Sequence, residues 1–295
     1  LLSQTNMIDI KSIQKEIIHF LEKYYPPSEA ETITFWLIEN LYQISQMDIL
    51  LNKKVIENEQ IVKQKITYLE RLAKYEPIQY ILGESYFCNH KFEVNSSVLI
   101  PRPETEELVN YITKYHQTNV PLEILDVGTG SGCIAVSLAL NFLSANVTAI
   151  DISEKAIETA QRNAQNLGAK VTFIQADALQ WHSENTWDII VSNPPYIKED
   201  EKSSMRKNVL DYEPHLALFV ENDNPLIFYK AIAQIAQKSL NNNGFLYFEI
   251  NEALGLETLE MLKEMDFINT ELIKDFYEKD RFVKAQYKSS KFISK

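Results

Sequence analysis

The residues best suited to chemistry stand together at 188–197, in the segment DIIVSNPPYI. A short β-branched run predicts a strand buried on both faces, and it leads into Asn193, Pro194, Pro195 and Tyr196. Each proline lacks an N–H donor and holds the residue before it extended, so the chain leaves the strand with unpaired carbonyls. A backbone carbonyl and the Asn193 Oδ1 can accept two hydrogen bonds from a planar –NH₂ group. The motif predicts a clamp for an amino or amide nitrogen; the alternative is a plain proline turn after a buried strand.

Strands and helices alternate from residue 101 onward, which predicts a doubly wound parallel sheet. The strand predicted at Glu123–Val127 runs into a G-x-G-x-G turn, and a helix follows. Glycines at a strand-to-helix turn let the backbone approach a ligand closely. The predicted turn consists of Gly128, Thr129, Gly130, Ser131 and Gly132.

Acidic residues stand at the ends of three successive predicted strands, at Asp126, Asp151 and Asp177. Asp151 can accept both ribose hydroxyls of a nucleoside. Asp177 can accept from an adenine amino group, and Ala178 leaves room beside the ring. A single such acid is more often a helix N-cap, but the three acids and the glycine turn together predict a nucleoside site.

The glycine turn follows the first predicted strand of the sheet, and the NPPY segment follows the fourth. These strands are neighbours at the switch point of a doubly wound sheet, where ligands bind. Asn193 is therefore predicted beside the nucleoside site. A nucleoside cofactor next to an amino-group clamp indicates S-adenosyl-L-methionine and N-methylation, in which alignment can supply about 7–11 kcal/mol of barrier reduction.

Composition limits the remaining choices. The net charge of −12 over 295 residues argues against a dedicated nucleic-acid binder. Two cysteines in unrelated contexts exclude a disulfide framework and a cysteine-based zinc site, and the histidines show no ligand spacing, so no metal is predicted. No apolar run has membrane-spanning length and no segment reads as a signal peptide, which predicts a cytoplasmic enzyme.

The domain organisation follows from changes in pattern along the chain. Helical periodicity predicts an N-terminal helical bundle at 1–76, and short extended pieces predict a linker with a β-hairpin at 77–100. The catalytic domain is predicted at 101–288 and a tail at 289–295. Within the catalytic domain, a strand is predicted at 245–250. The polar segment 198–225 has little periodicity and is typical of a lid or a disordered loop.

These motifs stand in the order found in the HemK/PrmC family of release-factor glutamine methyltransferases, which the chain resembles over about residues 77–285. The matching segments are Gln79-Tyr80-Ile81-Leu82-Gly83, IPRPETE at 100–106, DVGTGSG at 126–132, Asp151-Ile152-Ser153, SNPPYI at 192–197, Tyr212-Glu213-Pro214, Glu249-Ile250 and Asp280-Arg281. Two positions depart from the family pattern. Some members carry an aromatic residue where Ala178 stands, and a glycine is common where this chain has Asn251.

The resemblance implies a class I S-adenosylmethionine-dependent methyltransferase fold. It implies methylation of the side-chain amide nitrogen (N5) of the glutamine in the GGQ motif of peptide chain release factors, which modulates translation termination. The product of the cofactor is S-adenosyl-L-homocysteine. The implied cofactor-binding residues are the turn 128–132, Asp151, Ile152, Asp177, Ala178 and Asn193. The implied substrate-binding residues are Asn193, Pro194, Pro195 and Tyr196, which are also the implied catalytic residues, together with Arg102 and Glu104.

On the same reading the helical bundle recognises the release factor, the enzyme is a monomer, and it contacts neither nucleic acid nor membrane. Two alternatives remain open. An adenine-N6 or guanine-N2 methyltransferase acting on DNA or RNA also uses NPPY, but it would need a basic recognition domain, against which the net charge of −12 argues. A non-catalytic binding protein of the same fold would be indicated by failure to bind S-adenosyl-L-methionine.

Overall fold

The computed structural model describes residues 6–116 and 119–288, and the predicted tail at 289–295 lies outside them. The chain divides into an N-terminal unit, Leu1–Gly83 with Arg206–Tyr212, and a C-terminal unit, Glu84–Met205 with Glu213–Lys295. The helices are α1 (Ile10–Leu21), α2 (Pro27–Tyr42), α3 (Gln46–Leu50), α4 (Glu59–Leu72), α5 (Ile78–Leu82), α6 (Pro103–Tyr115), α7 (Cys133–Asn141), α8 (Glu154–Leu167), α9 (Lys207–Leu210), α10 (Ile227–Ser239) and α11 (Gly255–Glu264). The strands are β1 (Asn6–Asp9), β2 (Lys54–Glu57), β3 (Glu84–Phe87), β4 (His90–Glu93), β5 (Glu123–Val127), β6 (Asn146–Asp151), β7 (Val171–Gln175), β8 (Trp187–Ser192), β9 (Ile197–Lys198), β10 (Phe219–Val220), β11 (Leu240–Glu249), β12 (Phe267–Lys274) and β13 (Asp280–Tyr287).

The N-terminal unit is built on helices whose apolar faces form one core. On α1, the buried residues recur at helical spacing: Ile10, Ile13, Ile17 and Leu21. The structure adds an antiparallel pair, β1 with β2, to the region that the sequence predicts as helical throughout. Each of these strands has four residues, too few for an alternating pattern to stand out.

The C-terminal unit contains a seven-stranded sheet in the order β12-β13-β11-β8-β5-β6-β7. β13 is antiparallel to both its neighbours, and the strands from β11 to β7 are parallel. Ile189, Ile190 and Val191 in β8 are fully buried, because apolar residues cover both faces of the sheet. β5 pairs directly with β8, which confirms the predicted neighbourhood of the glycine turn and NPPY.

The predicted hairpin forms from β3 and β4, joined by Cys88 and Asn89. Both joining residues have positive φ, 47° and 62°, as a two-residue type I′ turn requires. The last parallel strand differs from its prediction, which placed it at 245–250. β11 begins already at Leu240, and its register against β8 shifts between Leu240 and Phe245. The first part of the strand is irregular, and its sequence therefore lacks the pattern that would predict a strand.

The segment 198–225 is more regular than its composition indicates. β9 pairs parallel with β10, and α9 lies between them in the chain. The stretch Arg206–Tyr212 belongs to the N-terminal unit, where Arg206 lies 3.7 Å from Glu29 and the Tyr212 hydroxyl donates to the Lys74 carbonyl at 2.9 Å. Among the described helices, none combines the length and the apolar character needed to cross a bilayer.

Candidate active site

The glycine turn after β5 is held from both sides. The N–H groups of Gly128 and Thr129 donate to the Ile150 carbonyl at 2.9 and 3.0 Å. Asp126 is fully buried, and its Oδ2 accepts from the Thr129 hydroxyl at 2.6 Å and from the Ala135 N–H at 3.2 Å. Burial raises the pKa of Asp126 to about 7. Asp126 thus supports the turn from within and does not face a ligand, unlike the acids of the next two strands.

Asp151 ends β6 beside the same turn. Its Oδ2 accepts from the Gly130 N–H and its Oδ1 from the Ser153 N–H, both at 2.9 Å. Burial raises the pKa of Asp151 above its ordinary value. Each carboxylate oxygen still has lone-pair capacity, so Asp151 can accept from a ligand while it holds the turn.

A cavity of about 250 Å³ opens at the carboxyl ends of β5, β6 and β8. The predicted site residues that line it are Gly128, Gly130, Asp151, Ile152, Asp177, Ala178, Asn193, Pro194 and Pro195. Thr129, Ser131 and Gly132 are buried and are not among the lining residues. They belong to the turn's own packing, so only part of the predicted glycine motif faces the cavity.

Part of the cavity lining is apolar. Ile152, Ala178 and Leu179 all line the cavity, and Ile152 and Leu179 are 45% and 43% exposed. Asp177 is partly engaged by its own turn, since Oδ1 accepts from the Leu179 N–H at 2.9 Å and Oδ2 from the Gln180 side chain at 3.2 Å. The apolar side chains of Ile152 and Leu179 offer contacts to an aromatic ring without any aromatic residue at position 178.

The NPPY segment begins where β8 ends. The Ser192 hydroxyl donates to the Val127 carbonyl at 2.6 Å, which ties the ends of β8 and β5 together. Asn193 Nδ2 donates to Thr105 Oγ1 at 3.1 Å, and the Thr105 hydroxyl donates to Glu249 Oε2 at 2.6 Å. The prolines at 194 and 195 continue along the cavity wall.

Tyr196 is the one predicted catalytic residue that does not line this cavity. Its hydroxyl donates to Glu249 Oε1 at 3.4 Å, and its carbonyl accepts from the Asn251 side chain at 3.3 Å. Burial raises the pKa of the Tyr196 phenol and raises that of Glu249 to about 7. The Tyr196 phenol therefore stays neutral, and its hydroxyl contacts Glu249, which does not line the cavity.

Arg102 and Glu104, both predicted to bind substrate, do not line the cavity either. Arg102 pairs with the buried Glu213 at 2.5 Å, and Glu213 Oε2 accepts from the Ile100 N–H at 3.3 Å. The residues just after Glu213 form part of the cavity wall: Pro214, Leu216 and Ala217. Arg102 therefore holds a wall in place, while Glu104 lies in the first turn of α6.

Comparison with known proteins decides the family. Residues 12–83 match the PrmC N-terminal domain, and residues 86–212 match the methyltransferase small domain. A release factor glutamine methyltransferase from Flavobacterium psychrophilum is 46% identical over 284 residues, 95% of this chain and 99% of that protein. The chain belongs to the release factor glutamine methyltransferase family. Another relative of that name, from Bacteroides thetaiotaomicron, is 43% identical over 270 residues, 90% of this chain and 95% of that protein.

Solved structures agree with this family's fold. A methyltransferase from Pyrococcus furiosus superposes with a TM-score of 0.50 at 18% identity, covering 77% of this chain and 98% of that one. A 16S rRNA guanine-N2 methyltransferase from T. thermophilus, solved with AdoMet and guanosine, also gives 0.50, at 17% identity over 70% of this chain and 50% of that one. At such identities the likeness shows the fold alone, and that fold is the predicted class I methyltransferase fold.

Three buried residues in this family member's site were not predicted as site residues: Thr105, Glu213 and Glu249. Each stands inside a motif that carried the family resemblance, IPRPETE, YEP or EI. The motifs therefore contained these residues, but nothing in their spacing revealed that Thr105 and Glu249 form a chain of hydrogen bonds to Asn193. Among the described residues, no group of three or more His, Cys, Asp or Glu side chains is arranged to hold a metal ion.

Proposed function

We propose that this protein transfers a methyl group from S-adenosyl-L-methionine to the side-chain amide nitrogen (N5) of the glutamine in the GGQ motif of peptide chain release factors. One observation carries the proposal. Asn193, Pro194 and Pro195 line the same cavity as Asp151 and the glycine turn, so an amide clamp and a nucleoside site share one space.

The residues present fit the cofactor. Asp151 offers carboxylate oxygens to ribose hydroxyls, the positive-φ glycines Gly128 and Gly130 bring backbone close to the cavity, and Ile152 and Leu179 suit an adenine ring. Asp177 lines the cavity beside Ala178, with lone pairs left for the adenine amino group. When bound, the cofactor would supply an electrophilic methyl group to the amide nitrogen, with S-adenosyl-L-homocysteine as the leaving group and the surplus amide proton lost to water.

The chain's own residues hold the glutamine amide. Asn193 Oδ1 and the Pro194 carbonyl accept its two N–H groups, which fixes the rotation of the amide about its own bond. An amide nitrogen is a poor nucleophile because its lone pair is delocalised into the carbonyl. Two acceptors on its N–H groups increase electron density at nitrogen, and the rigid Pro194-Pro195 backbone keeps them in place. Tyr196 supports this corner from below through Glu249.

Recognition of the release factor is assigned to the N-terminal unit. Glu104, on α6 of the C-terminal unit, is assigned as a further contact with the substrate. The match of residues 12–83 to the PrmC N-terminal domain supports the assignment of the N-terminal unit. So do the exposed apolar side chains at the end of α3, Met47, Leu50 and Leu51, which are 62%, 66% and 74% exposed. We place the reaction in the cytoplasm with a monomeric enzyme, and a net charge of −12 disfavours direct binding of nucleic acid.

The test is mass spectrometry of a release factor incubated with the protein and S-adenosyl-L-methionine. We expect one methyl group on the GGQ glutamine with the wild-type enzyme and none with the Asn193→Ala variant. A release factor in which that glutamine is replaced by asparagine is the matched substrate control and should stay unmodified. Methyl transfer to DNA or RNA in parallel reactions, with the release factor unmodified, would overturn the proposal. Failure to bind the cofactor would indicate a non-catalytic protein.

A further inference from the structure

The side-chain amide of Asn193 has two different ends, and the clamp works with only one of them facing the substrate. A glutamine –NH₂ group needs acceptors, so the Asn193 oxygen must face it and the Asn193 nitrogen must point away. Rotation of the Asn193 amide by 180° would turn Nδ2 toward the substrate, so that the N–H donors of Asn193 would face the N–H donors of the glutamine amide. Some part of the protein must therefore select one orientation.

Thr105 provides the partner on the far side of that amide. Its single hydroxyl proton is directed to Glu249 Oε2 at 2.6 Å, a length typical of a hydroxyl donating to a carboxylate. With that proton committed, Thr105 Oγ1 can only accept from Asn193, which it does from Nδ2 at 3.1 Å. The direction of the chain of hydrogen bonds is thus set at Glu249 and passed through Thr105 to Asn193.

We propose that Thr105 and Glu249 are positioning residues that select which end of the Asn193 amide faces the substrate. This inference rests on the proposed function for its consequence in catalysis. The orientation itself is a property of the free protein. Neither residue lines the cavity, so both act through Asn193 and not on the substrate.

In the structure, the Glu249 carboxyl group accepts hydrogen bonds from two hydroxyls. The side chain is buried, and both of its oxygens receive a donor, from Thr105 and from Tyr196. The titratable or charged groups that face it are Glu104 on α6, Cys133 on α7, Tyr196 after β8, Tyr229 on α10 and Arg281 on β13. Arg281 favours the ionised form, while burial and Glu104 oppose it and raise the pKa to about 7.

Protonation of Glu249 would reverse the chain of hydrogen bonds. A carboxylic acid can donate to Thr105, whose hydroxyl then turns to donate to Asn193 Oδ1. The amide would present its nitrogen to the cavity, and the clamp would lose an acceptor. The activity should therefore fall on the acid side of the Glu249 titration.

The first test compares Thr105→Val with Thr105→Ser under saturating cofactor. Valine keeps the volume but removes the hydroxyl, so we expect kcat to fall by about 10- to 100-fold, the size of one misdirected hydrogen bond. Serine keeps the hydroxyl and should restore most of the activity. The acid limb of the kcat profile should persist in Thr105→Ser and disappear in Thr105→Val. Thr258→Val, which removes a buried hydroxyl donating to the Leu254 carbonyl at 2.7 Å, is the control and should leave kcat and its profile unchanged.

The second test needs no methyl transfer. In protein labelled with ¹⁵N at asparagine, the Asn193 side-chain signals are assigned by their loss in Asn193→Asp. We expect the side-chain amide protons of Asn193 to be protected from exchange and their signals to shift with pH around the Glu249 titration. Both properties should be lost in Thr105→Val and kept in Thr105→Ser and Thr258→Val. Unchanged Asn193 signals in Thr105→Val, or full kcat in that variant, would overturn the inference. If the wild-type protein leaves the release factor unmethylated, the proposed function fails, and the Asn193 signals alone decide the positioning role.

Discussion

Gly132 and Ala160 lie so close together that no side chain fits between them. A Cβ built on Gly132 would stand 2.9 Å from the Cβ of Ala160, and the φ of Gly132 is +80°. The contact joins the end of the glycine turn to α8, the helix that follows Asp151. Two halves of the proposed nucleoside site are therefore packed directly on each other.

Gly132→Ala should destabilise the protein by more than its backbone strain alone. Strain at positive φ costs about 1–2 kcal/mol, and overpacking against Ala160 adds about 1–3 kcal/mol. Gly168→Ala is the matched control, because its φ is +70° and nothing lies within 4 Å of the added Cβ. Chemical denaturation measures both free energies of unfolding. Adding Ala160→Gly to Gly132→Ala should recover part of the overpacking loss, reduced by the about 1 kcal/mol that glycine costs inside α8. Equal losses in the two alanine variants would contradict the packing argument.

Asp151→Ala should weaken binding of S-adenosyl-L-homocysteine by about 1.5–3 kcal/mol, the range for hydrogen bonds to a charged group. The loss combines ribose contacts with the two N–H groups that Asp151 holds, those of Gly130 and Ser153. Asp151→Asn should be intermediate, because an amide has one acceptor oxygen. Calorimetric titration measures each affinity. Asn193→Ala is the comparison variant, and its affinity for S-adenosyl-L-homocysteine should stay close to wild type. An equal loss there would mean that cofactor binding by Asp151 and substrate binding by Asn193 are not separate roles.

Arg102→Met should loosen the cavity wall that follows Glu213. The Glu213 side chain is 1% exposed, so removal of Arg102 leaves a buried charge without its cation and with only the Ile100 N–H donating to it. The cost should stay below the about 3–5 kcal/mol of a fully buried pair, because Arg102 is 31% exposed. Thermal unfolding and cofactor-product affinity should both fall. The double variant Arg102→Met, Glu213→Gln should recover much of the stability, and a double variant as weak as the single one would contradict the account.

Stability should depend on pH through Glu249. Burial raises its pKa from 4.5 to about 7, so between these values the folded state holds a proton that the unfolded state has released. Its contribution is therefore full below pH 4.5 and is lost as the pH rises through 7, by at most about 1.4 kcal/mol per pH unit. The free energy of unfolding of Glu249→Gln minus that of wild type should rise across this window.

His116 should give the opposite pH dependence of the free energy of unfolding. Burial lowers its pKa from 6.5 to about 4, so the unfolded state takes up a proton first as the pH falls. The stability of wild type relative to His116→Gln should therefore increase as the pH rises from 4 to 6.5. A flat difference curve for either variant would show that the group does not titrate as its burial indicates.

Much of the fold and part of the site followed from local patterns. The buried run in β8, the glycine turn after β5 and the acid at the end of β6 are each contiguous, and the rule for doubly wound sheets placed them at one edge. The short β1–β2 pair and the early start of β11 were missed, because four-residue strands and an irregular stretch carry no clear period.

The sequence by itself determined most of the element types, the parallel part of the sheet and the NPPY segment proposed as the amide clamp, because these depend on neighbouring residues. Only the tertiary structure decided what supports the clamp. Thr105 is 88 residues from Asn193 and 144 from Glu249, and their meeting depends on where the first turn of α6 lies relative to the ends of β8 and β11. It also decided that Arg102 pairs with Glu213 and that Tyr196 turns to Glu249, away from the cavity. Spacing along a chain constrains residues one helical turn or one strand apart, whereas such distant contacts are set by the packing of whole elements.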